Sequence, residues 1–518
     1  MTFEDGFTQA LRERAWTSSG VGKMGCCDGS RRQAGVLLHP TSLPGRYGAG
    51  DFGWQGRNFV DFLNRAGQSL WQIMPLGPAG SGNSPYAARS SFAFNPLMIS
   101  PDELVERGLV DQADVDAVPQ FDDHRVDFEA VGAWKNALLH RAFERFRSWD
   151  EPEDLREFRE RAAHWLPEFC LFMALRQRNG WWAEWPEPLR RRDPQALAEA
   201  RECLAEPMAY HEFVQWCADR QWTALRRYAN EHGVQIIGDI PIFVDHDSAD
   251  AWANQEVFKL DEQGLPTVVA GVPPDAFSAT GQRWGNPLYD WDHLRVTGFD
   301  WWIERFRWTL HQVDIVRIDH FRGFETAWEV PAHEETAQNG RWVPGPGREL
   351  FDRARAQLGE LPIVVEDLGI ITDEVRTLRD DLGYPGMDVL QFAFGDDARN
   401  PYLPHNVRRD SVMYTGTHDN DTTAGWLNSL PDHVRHNLTR YLGHEPAGVR
   451  DIVRMAYESV AAMAIVPMQD VLELGSEARM NIPGYADGNW GWRMTQQQFD
   501  DCDPGWLREL AEVSARLP

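Results

Sequence analysis

Eight short apolar runs, each bounded by turn residues and usually followed by a helical stretch, constrain the fold of this chain most strongly. They cover residues 35–40, 70–76, 234–241, 313–320, 362–368, 387–392, 411–415 and 464–468. Near-continuous apolar runs are typical of strands buried on both faces, as in parallel sheets. Eight such strands alternating with helices predict an α/β fold of the (β/α)8 or TIM-barrel type.

The spacing of the runs is uneven and indicates insertions at the rim of the barrel. Residues 77–233 are far more than one loop and helix require, and their pattern is mostly helical, so we expect an inserted helical subdomain there. A second inserted region spans 245–312 and contains a Gly- and Pro-rich, aromatic loop at 271–287. We assign residues 1–34 to an N-terminal extension and 35–518 to the barrel. The sequence ends soon after the helix of the eighth strand, so we expect no C-terminal β-sandwich.

The charge of the chain restricts its partners. It has 79 acidic and 51 basic residues, for a formal net charge of −28. Such a surface repels phosphate backbones and anionic lipids, so we expect neither nucleic acid nor a membrane as partner. Apolar stretches of about 18 residues, which spanning a bilayer requires, do not occur. The acidic N-terminus lacks the order of a signal peptide, which predicts a cytoplasmic protein.

The sequence carries no motif for a cofactor or a metal ion. No Gly-rich phosphate cradle of the Walker or dinucleotide type is present, and no His pair has the spacing of a zinc protease. The segment 245–250 has three aspartates but lacks the glycine that a calcium loop requires at its sixth position. We therefore expect no cofactor and no metal.

Polar residues stand at or just beyond the ends of three apolar runs, where barrel enzymes place their catalytic groups. The fourth run ends with Arg317 and Asp319, the fifth contains Glu366, and the seventh leads into His418 and Asp419. Strand alternation puts Arg317 and Asp319 on the same side, so we expect the guanidinium to keep this carboxylate ionised, with a lowered pKa. Three neighbouring regions of the barrel mouth thus each supply an acid.

Paired carboxylates are what glycoside cleavage requires. One acts as nucleophile or base, and the other, protonated, assists the departing oxygen. A single acid at a strand end is as often an ion-pair or capping residue, but three together favour chemistry. Asp367 and Asp421 are the closest rivals within their motifs, although alternation turns Asp367 away from the side that Glu366 faces. The 23 tryptophans fit a sugar-binding protein, since their rings stack on sugars, but most tryptophans serve packing.

Several long motifs resemble one known family. Residues 316–323, 365–369 and 417–420 are similar to the signature regions of the amylomaltases, the 4-α-glucanotransferases or disproportionating enzymes of the α-amylase superfamily. Further similar segments are 39–45, 82–86, 238–244 and 271–287. The resemblance extends from about residue 35 to the last residue. It implies retaining transfer of α-1,4-glucan segments from a maltooligosaccharide donor to the 4-hydroxyl of an acceptor, through a covalent glucosyl-enzyme.

The resemblance also implies roles for individual residues. Asp319 matches the nucleophile, Glu366 the general acid/base, and Asp419 the acid that grips sugar hydroxyls and distorts the ring. Arg317 and His418 match residues that orient the nucleophile and bind sugar hydroxyls. The remaining substrate-binding residues implied by the resemblance are Tyr86 as an aromatic platform, Asp275 and Trp284 in a substrate-covering loop, and Phe392 near the acid.

Two alternative functions use the same residues. An amylase-type α-1,4-glucan hydrolase would employ the same three carboxylates, with water in place of the acceptor sugar. A non-catalytic glucan-binding barrel is the second alternative. The expected lack of a C-terminal sandwich and the presence of the 271–287 segment favour the transferase. In each case the expected partners are maltooligosaccharides and α-glucans.

Overall fold

The computed structural model describes residues 32–274, 278–369, 371–445 and 447–518. Its strands, in chain order, are β1 (Gln33–Leu37), β2 (Leu70–Gln72), β3 (Gln235–Pro241), β4 (Val268–Val272), β5 (Gln282–Pro287), β6 (Ile315–Asp319), β7 (Thr326–Pro331), β8 (Arg341–Pro344), β9 (Ile363–Val365), β10 (Gly386–Val389), β11 (Ser411–Tyr414) and β12 (Met463–Pro467).

Eight of these strands form one parallel sheet that curves into a barrel. Their order is β10-β11-β12-β1-β2-β3-β6-β9. The ring closes between β9 and β10, where the N–H of Val365 donates to the carbonyl of Pro385 at 2.9 Å. The carboxylate of Asp367 adds a bond by accepting the N–H of Met387 at 2.8 Å. The predicted barrel is confirmed, and each predicted apolar run overlaps one of its strands.

The interior of the barrel is layered, because alternate residues of every strand point inwards. The lower part is an apolar cluster made of Leu37, Leu70, Ile237, Ile315, Val364, Met387, Val389, Val412, Tyr414, Met463 and Ile465. Two residues further along β2, β3 and β6 stand Gln72, Asp239 and Arg317, all buried. The Tyr414 hydroxyl donates to Gln72 at 2.7 Å. An apolar floor therefore supports a polar layer, and the polar layer lies below the mouth.

A second sheet was not predicted. Strands β5-β4-β7-β8 form an antiparallel sheet. Residues 271–287, expected to be a loop, instead contribute to β4 and β5, which pair as a hairpin with Gly271 opposite Arg283. The sequence of β5, Gln-Arg-Trp-Gly-Asn-Pro, is mostly exposed and lacks apolar alternation, so it carries no strand signal of its own. Its strand form comes from pairing with β4.

Helices fill the long connection between β2 and β3 and cover the outside of the barrel. The helix Trp54–Arg65 lies between β1 and β2. The helices of the β2–β3 connection are Pro101–Glu106, Gln112–Asp116, Phe128–Phe146, Glu153–Arg161, Leu166–Asn179, Glu187–Arg190, Pro194–Cys203 and Ala205–Glu231. The others are Ala249–Ala253, Trp291–Val296, Asp300–Gln312, Arg348–Leu358, Asp373–Leu382, Thr423–Ser429, Asp432–Leu442, Val449–Glu458, Met468–Val471, Gln496–Asp501 and Gly505–Val513. In the described part of the chain, none of the helices is both long and apolar enough to span a bilayer.

The tryptophans mainly build the core between these helices and the barrel. Those whose side chains are almost completely buried are Trp71, Trp182, Trp185, Trp216, Trp222, Trp252 and Trp302. Some of their indole N–H groups donate to buried backbone carbonyls: that of Trp222 to Gln312 at 2.8 Å and that of Trp182 to His246 at 2.6 Å. The packing role expected for most tryptophans therefore holds for this set.

The C-terminal segment stabilises the junction of the first and last barrel strands. Arg516 is fully buried. Its guanidinium donates to the carbonyls of Gln33 and Ala462, which flank the β1–β12 pairing. It also donates to carbonyls in the turn that precedes β12, those of Tyr457, Ser459 and Ala461. One side chain thus adds hydrogen bonds to five carbonyls, some of which also accept from Arg32 or from the N–H of Gln33.

We expect Arg516→Met to lower the free energy of unfolding by about 3 kcal/mol, because methionine fills the space but removes five buried hydrogen bonds that the guanidinium donates. Denaturant unfolding followed by circular dichroism measures the change. Arg508→Met, at an exposed position on the last helix, is the matched control and should change stability by no more than about 0.5 kcal/mol. Equal losses in the two variants would contradict the role of Arg516.

Candidate active site

The carboxyl ends of β3 and β6 meet around a single guanidinium. Arg317 is buried, with 3% of its side chain exposed, and its Nη1 lies 3.1 Å from Oδ1 of Asp319. The same Nη1 donates to Oδ2 of Asp239 on β3. Asp319 itself remains 29% exposed, at the floor of the barrel mouth. Arg317 therefore bridges a buried carboxylate and an accessible one.

Asp239 was not identified from the sequence, although it lies at the centre of this arrangement. Besides Arg317 it binds Tyr86, whose hydroxyl donates to Oδ2 at 2.7 Å. Its other oxygen, Oδ1, is buried and has no hydrogen-bond partner among the described residues. The available signal was a charged residue at an inward position near the end of an otherwise apolar strand, the same signal that identified Asp319.

Glu366 follows β9 and is held by backbone groups. Its Oε2 accepts the N–H of His320 at 2.8 Å, and its Oε1 accepts the N–H of Leu368 at 2.8 Å. Asp367 faces elsewhere, as alternation predicts, and binds Arg379. Each oxygen of Glu366 keeps a second lone-pair position, so a proton on this group can point into the cleft.

Asp419 lies in the segment after β11 and is positioned from three sides. Its Oδ1 accepts the side-chain amide of Asn481 at 2.6 Å and lies 3.4 Å from Nε2 of His418. Its backbone carbonyl accepts Arg479 at 2.7 Å. Nearly half of the side chain, 46%, is exposed. This carboxylate is thus oriented by its neighbours while remaining open to a ligand.

The acids influence one another strongly. Burial raises the pKa of Asp319, and the carboxylates of Asp239, Glu366 and Asp419 raise it further, although Arg317 opposes them. Burial also raises the pKa of Glu366, against the lowering effects of Arg317 and of the backbone N–H groups. Arg317 does lower the pKa of Asp319, as expected, but burial and the neighbouring carboxylates outweigh it, so the expected net lowering is wrong.

Aromatic residues line the cleft beside the acids. Tyr86 stacks on His418, with ring centroids 5.0 Å apart and planes 20° from parallel. Trp490 packs against both, at 5.7 Å from Tyr86 and 5.8 Å from His418. Burial lowers the pKa of His418, which favours a neutral ring between these aromatic neighbours. Trp490 and Asn481 were not identified from the sequence, and they come from one loop near the end of the chain.

The other predicted substrate-binding residues are placed as follows. Trp284 is on β5, 39% exposed, with its ring edge-on to His320 at 4.7 Å. Phe392 is 42% exposed and packs against Tyr402, with ring centroids 5.6 Å apart. Asp275 lies outside the described residues. The structure thus places the ring of Trp284 against His320, the residue after Asp319.

The aspartates of the 245–250 segment serve the protein's own structure. Asp247 binds Arg89 at 2.6 Å and Arg176 at 2.8 Å. Asp250 accepts the N–H of Ser91. Within the described ranges, no group of three or more His, Cys, Asp or Glu side chains is arranged to hold a metal ion.

A (β/α)8 barrel with carboxylates gathered at its mouth defines this chain as a barrel protein with the site of a carbohydrate-active enzyme. A family model described as 4-alpha-glucanotransferase matches residues 38–498. The chain is 50% identical over 500 residues to the 4-alpha-glucanotransferase of Thermus thermophilus, covering 94% of this chain and 99% of that protein. It is 44% identical over 502 residues to the chloroplastic/amyloplastic 4-alpha-glucanotransferase of Solanum tuberosum, covering 94% and 87%.

A solved structure agrees with these sequence comparisons. The amylomaltase from Streptococcus agalactiae, determined in complex with acarbose, matches with a TM-score of 0.92 at 37% identity. The match covers 94% of this chain and 100% of that chain. The chain therefore belongs to the 4-alpha-glucanotransferase family, the amylomaltases. The resemblance inferred from the motifs is confirmed.

We expect Asp239→Asn to lower kcat about 100-fold and to move the acidic limb of the pH profile to lower pH. The charge of Asp239 raises the pKa of Asp319, so removing that charge lowers this pKa and lets Asp319 ionise in more acidic solution. Initial rates on maltotriose across pH measure the shift. Tyr86→Phe, which removes only the hydroxyl bound to Asp239, is the control and should leave the limb in place. An acidic limb that lies at the same pH or at higher pH in Asp239→Asn would contradict the assignment.

Proposed function

We propose that Asp319 is the nucleophile, Glu366 the general acid and base, and Asp419 the acid that binds hydroxyls of the reacting sugar. The 4-alpha-glucanotransferase activity itself follows from the family. The assignment of roles is supported by one observation above all: Asp319 is the only one of these three acids that contacts the buried guanidinium of Arg317, while its side chain still reaches the cleft.

In the first step the donor glucan is cleaved. An oxygen of Asp319 attacks C1 of the glucosyl unit, and the bond from C1 to the bridging oxygen breaks. Glu366 gives its proton to that oxygen, which leaves as a free 4-hydroxyl. A covalent glucosyl-enzyme results, and Glu366 is left ionised. The raised pKa of Glu366 suits it to carry this proton at the start.

In the second step the intermediate is transferred. Glu366 takes the proton from the 4-hydroxyl of an acceptor sugar, whose oxygen attacks C1 and displaces Asp319. Configuration at C1 is inverted twice and so retained. Glu366 ends protonated and Asp319 ionised, which restores the starting state. The backbone N–H groups that bind both oxygens of Glu366 stabilise its ionised form between the steps.

The substrates proposed for this cleft are maltooligosaccharides and longer α-1,4-glucans. The stacked rings of Tyr86 and His418 offer a flat surface for the sugar next to the acids. Asp419 and its partner Asn481 offer polar groups directed at sugar hydroxyls. The amylomaltase from Streptococcus agalactiae was solved with acarbose bound, and this chain's cleft is proposed to take glucans in the corresponding place.

Family membership decides between the alternatives left open by the sequence, in favour of a transferase over a hydrolase or a non-catalytic barrel. Transfer still requires an explanation, because water is abundant and acceptor sugar is dilute. We assign this selectivity to the β4–β5 hairpin, which brings Trp284 against His320, the residue after Asp319. Binding an acceptor on an aromatic surface orients its hydroxyl and excludes water from the intermediate. Phe392, and Asp275 with Phe277 from the segment outside the described residues, are proposed to complete this acceptor side.

Substitution of the two central acids separates their roles. We expect Asp319→Asn to lower turnover of maltotriose by about 10⁴-fold or more, since no intermediate can form. We expect Glu366→Gln to lose turnover of maltotriose similarly but to consume an α-maltosyl fluoride donor, because fluoride leaves without a proton. Chromatography of glucose and longer oligomers, together with fluoride release, measures both. Wild-type transfer by Asp319→Asn would refute the nucleophile, and circular dichroism verifies that each variant is folded.

The hairpin is tested by the fate of the intermediate. We expect Trp284→Ala to lower the ratio of transfer to hydrolysis on maltotriose about threefold to tenfold, the loss of one aromatic contact to the acceptor. Trp342→Ala is the matched control, since Trp342 is equally exposed and lies on the far edge strand of the same sheet. An unchanged ratio in Trp284→Ala would refute the role of the hairpin. Equal falls in both variants would indicate a general loss of sheet structure.

A further inference from the structure

His320 is the residue directly after Asp319, and its backbone is unusual. It has φ 54° and ψ 50°, the left-handed region that residues other than glycine rarely occupy. Such a conformation is maintained only where the surroundings enforce it, and it often marks a functional position. Here the backbone N–H of His320 donates to Oε2 of Glu366 at 2.8 Å.

The ring of His320 makes a second connection. It lies edge-on to Trp284, with centroids 4.7 Å apart and planes at 82°. Phe243, at the end of β3, is 6.2 Å away from the same ring. Burial and the nearby Arg322 lower the pKa of His320 to about 3, so the ring is neutral at the pH values where the enzyme is assayed. A neutral ring suits this aromatic contact without adding charge beside the acids.

His320 therefore contacts both Glu366 and Trp284. We propose that it is a positioning residue that couples the covering hairpin to the acid: its backbone holds one oxygen of Glu366, and its ring supports Trp284. The inference rests on the proposed role of Glu366. In this proposal, a movement of Trp284 on binding an acceptor sugar displaces the ring of His320, and the backbone of His320 transmits the displacement to Glu366.

The backbone contribution is tested through the pH dependence of Glu366. The groups that act on this carboxyl are Arg317 and Asp319 from β6, Asp367 beside it, Tyr402 beyond β10, and the N–H groups of Leu368 and His320. A donated N–H stabilises the ionised form, so its loss must raise the pKa of Glu366. The basic limb of kcat/KM, which requires Glu366 to be protonated, then moves to higher pH.

Two substitutions of His320 separate its backbone from its ring. His320→Gly removes the ring but adopts the left-handed backbone freely, whereas His320→Val disfavours that backbone because valine is β-branched. We expect the basic limb to rise by about half a unit to one unit in His320→Val and to stay in place in His320→Gly. Ala515→Val is the strain control: Ala515 is exposed, has φ 56°, and is adjacent to Arg516 beneath the strands. It should leave the limb unmoved.

The ring contribution is tested by a double-mutant cycle. We expect His320→Gly to lower the transfer-to-hydrolysis ratio about threefold to tenfold, as Trp284→Ala does. The two changes combined should lower the ratio no further than either alone, because they remove one shared contact. This cycle also tests the proposal if His320→Val fails to fold, which circular dichroism reveals.

Three results would overturn the coupling: a basic limb that is unmoved in folded His320→Val, a limb moved equally by His320→Gly, or independent and multiplicative effects of His320→Gly and Trp284→Ala. Glu366→Gln separates this failure from that of the proposed mechanism. Turnover of maltotriose by Glu366→Gln would refute the role of Glu366 itself. If Glu366→Gln is inactive on maltotriose and the limb of His320→Val is unmoved, only the coupling through His320 is refuted.

Discussion

The contact of one buried guanidinium with two carboxylates underlies the whole cleft. Arg317 binds Asp239 and Asp319 through the same nitrogen, and Asp239 in turn receives the hydroxyl of Tyr86. The position of the aromatic platform and that of the proposed nucleophile are therefore set by one charge. A buried guanidinium requires acceptors for its N–H groups, and because two carboxylates supply them here, this pairing also stabilises the polar layer inside the barrel.

The barrel carries this polar layer because its strands alternate. Ile315, Arg317 and Asp319 follow one another on the inward side of β6, from apolar floor to open mouth. The same two-residue step leads from Ile237 to Asp239 on β3. The gradient from apolar to charged along each strand keeps water from the floor and leaves the acids accessible at the top. The same two-residue alternation therefore places the apolar floor and the acids of the mouth.

That periodicity is the part of the structure that the sequence predicts well. Every barrel strand coincides with an apolar run, and Arg317 beside Asp319 follows from alternation. The sequence did not predict the hairpin sheet, because β5 has little apolar content and is held by pairing with β4. No local pattern therefore indicates a strand there. Asn481 and Trp490 were missed because a loop near the end of the chain folds back to Asp419, a contact that no spacing rule specifies. The direction of the pKa shift of Asp319 was misjudged because it depends first on burial and then on carboxylates brought from other strands, which the local sequence does not specify.

The excess of carboxylates over cations explains how one cleft serves both halves of the proposed reaction. Asp239 and Asp319 bind the guanidinium of Arg317, and Glu366 and Asp419 add negative charge near Asp319, so full ionisation would leave an excess of negative charge. Burial raises the pKa of both Asp319 and Glu366, so this pair of carboxyl groups retains a proton. The retained proton is what the departing oxygen requires in the first step. When the sugar develops positive charge at C1, the same negative surplus stabilises it, because the charges are fixed before the reaction begins. An arrangement that makes ionisation of the free cluster costly thus favours the charge distribution of the transition state.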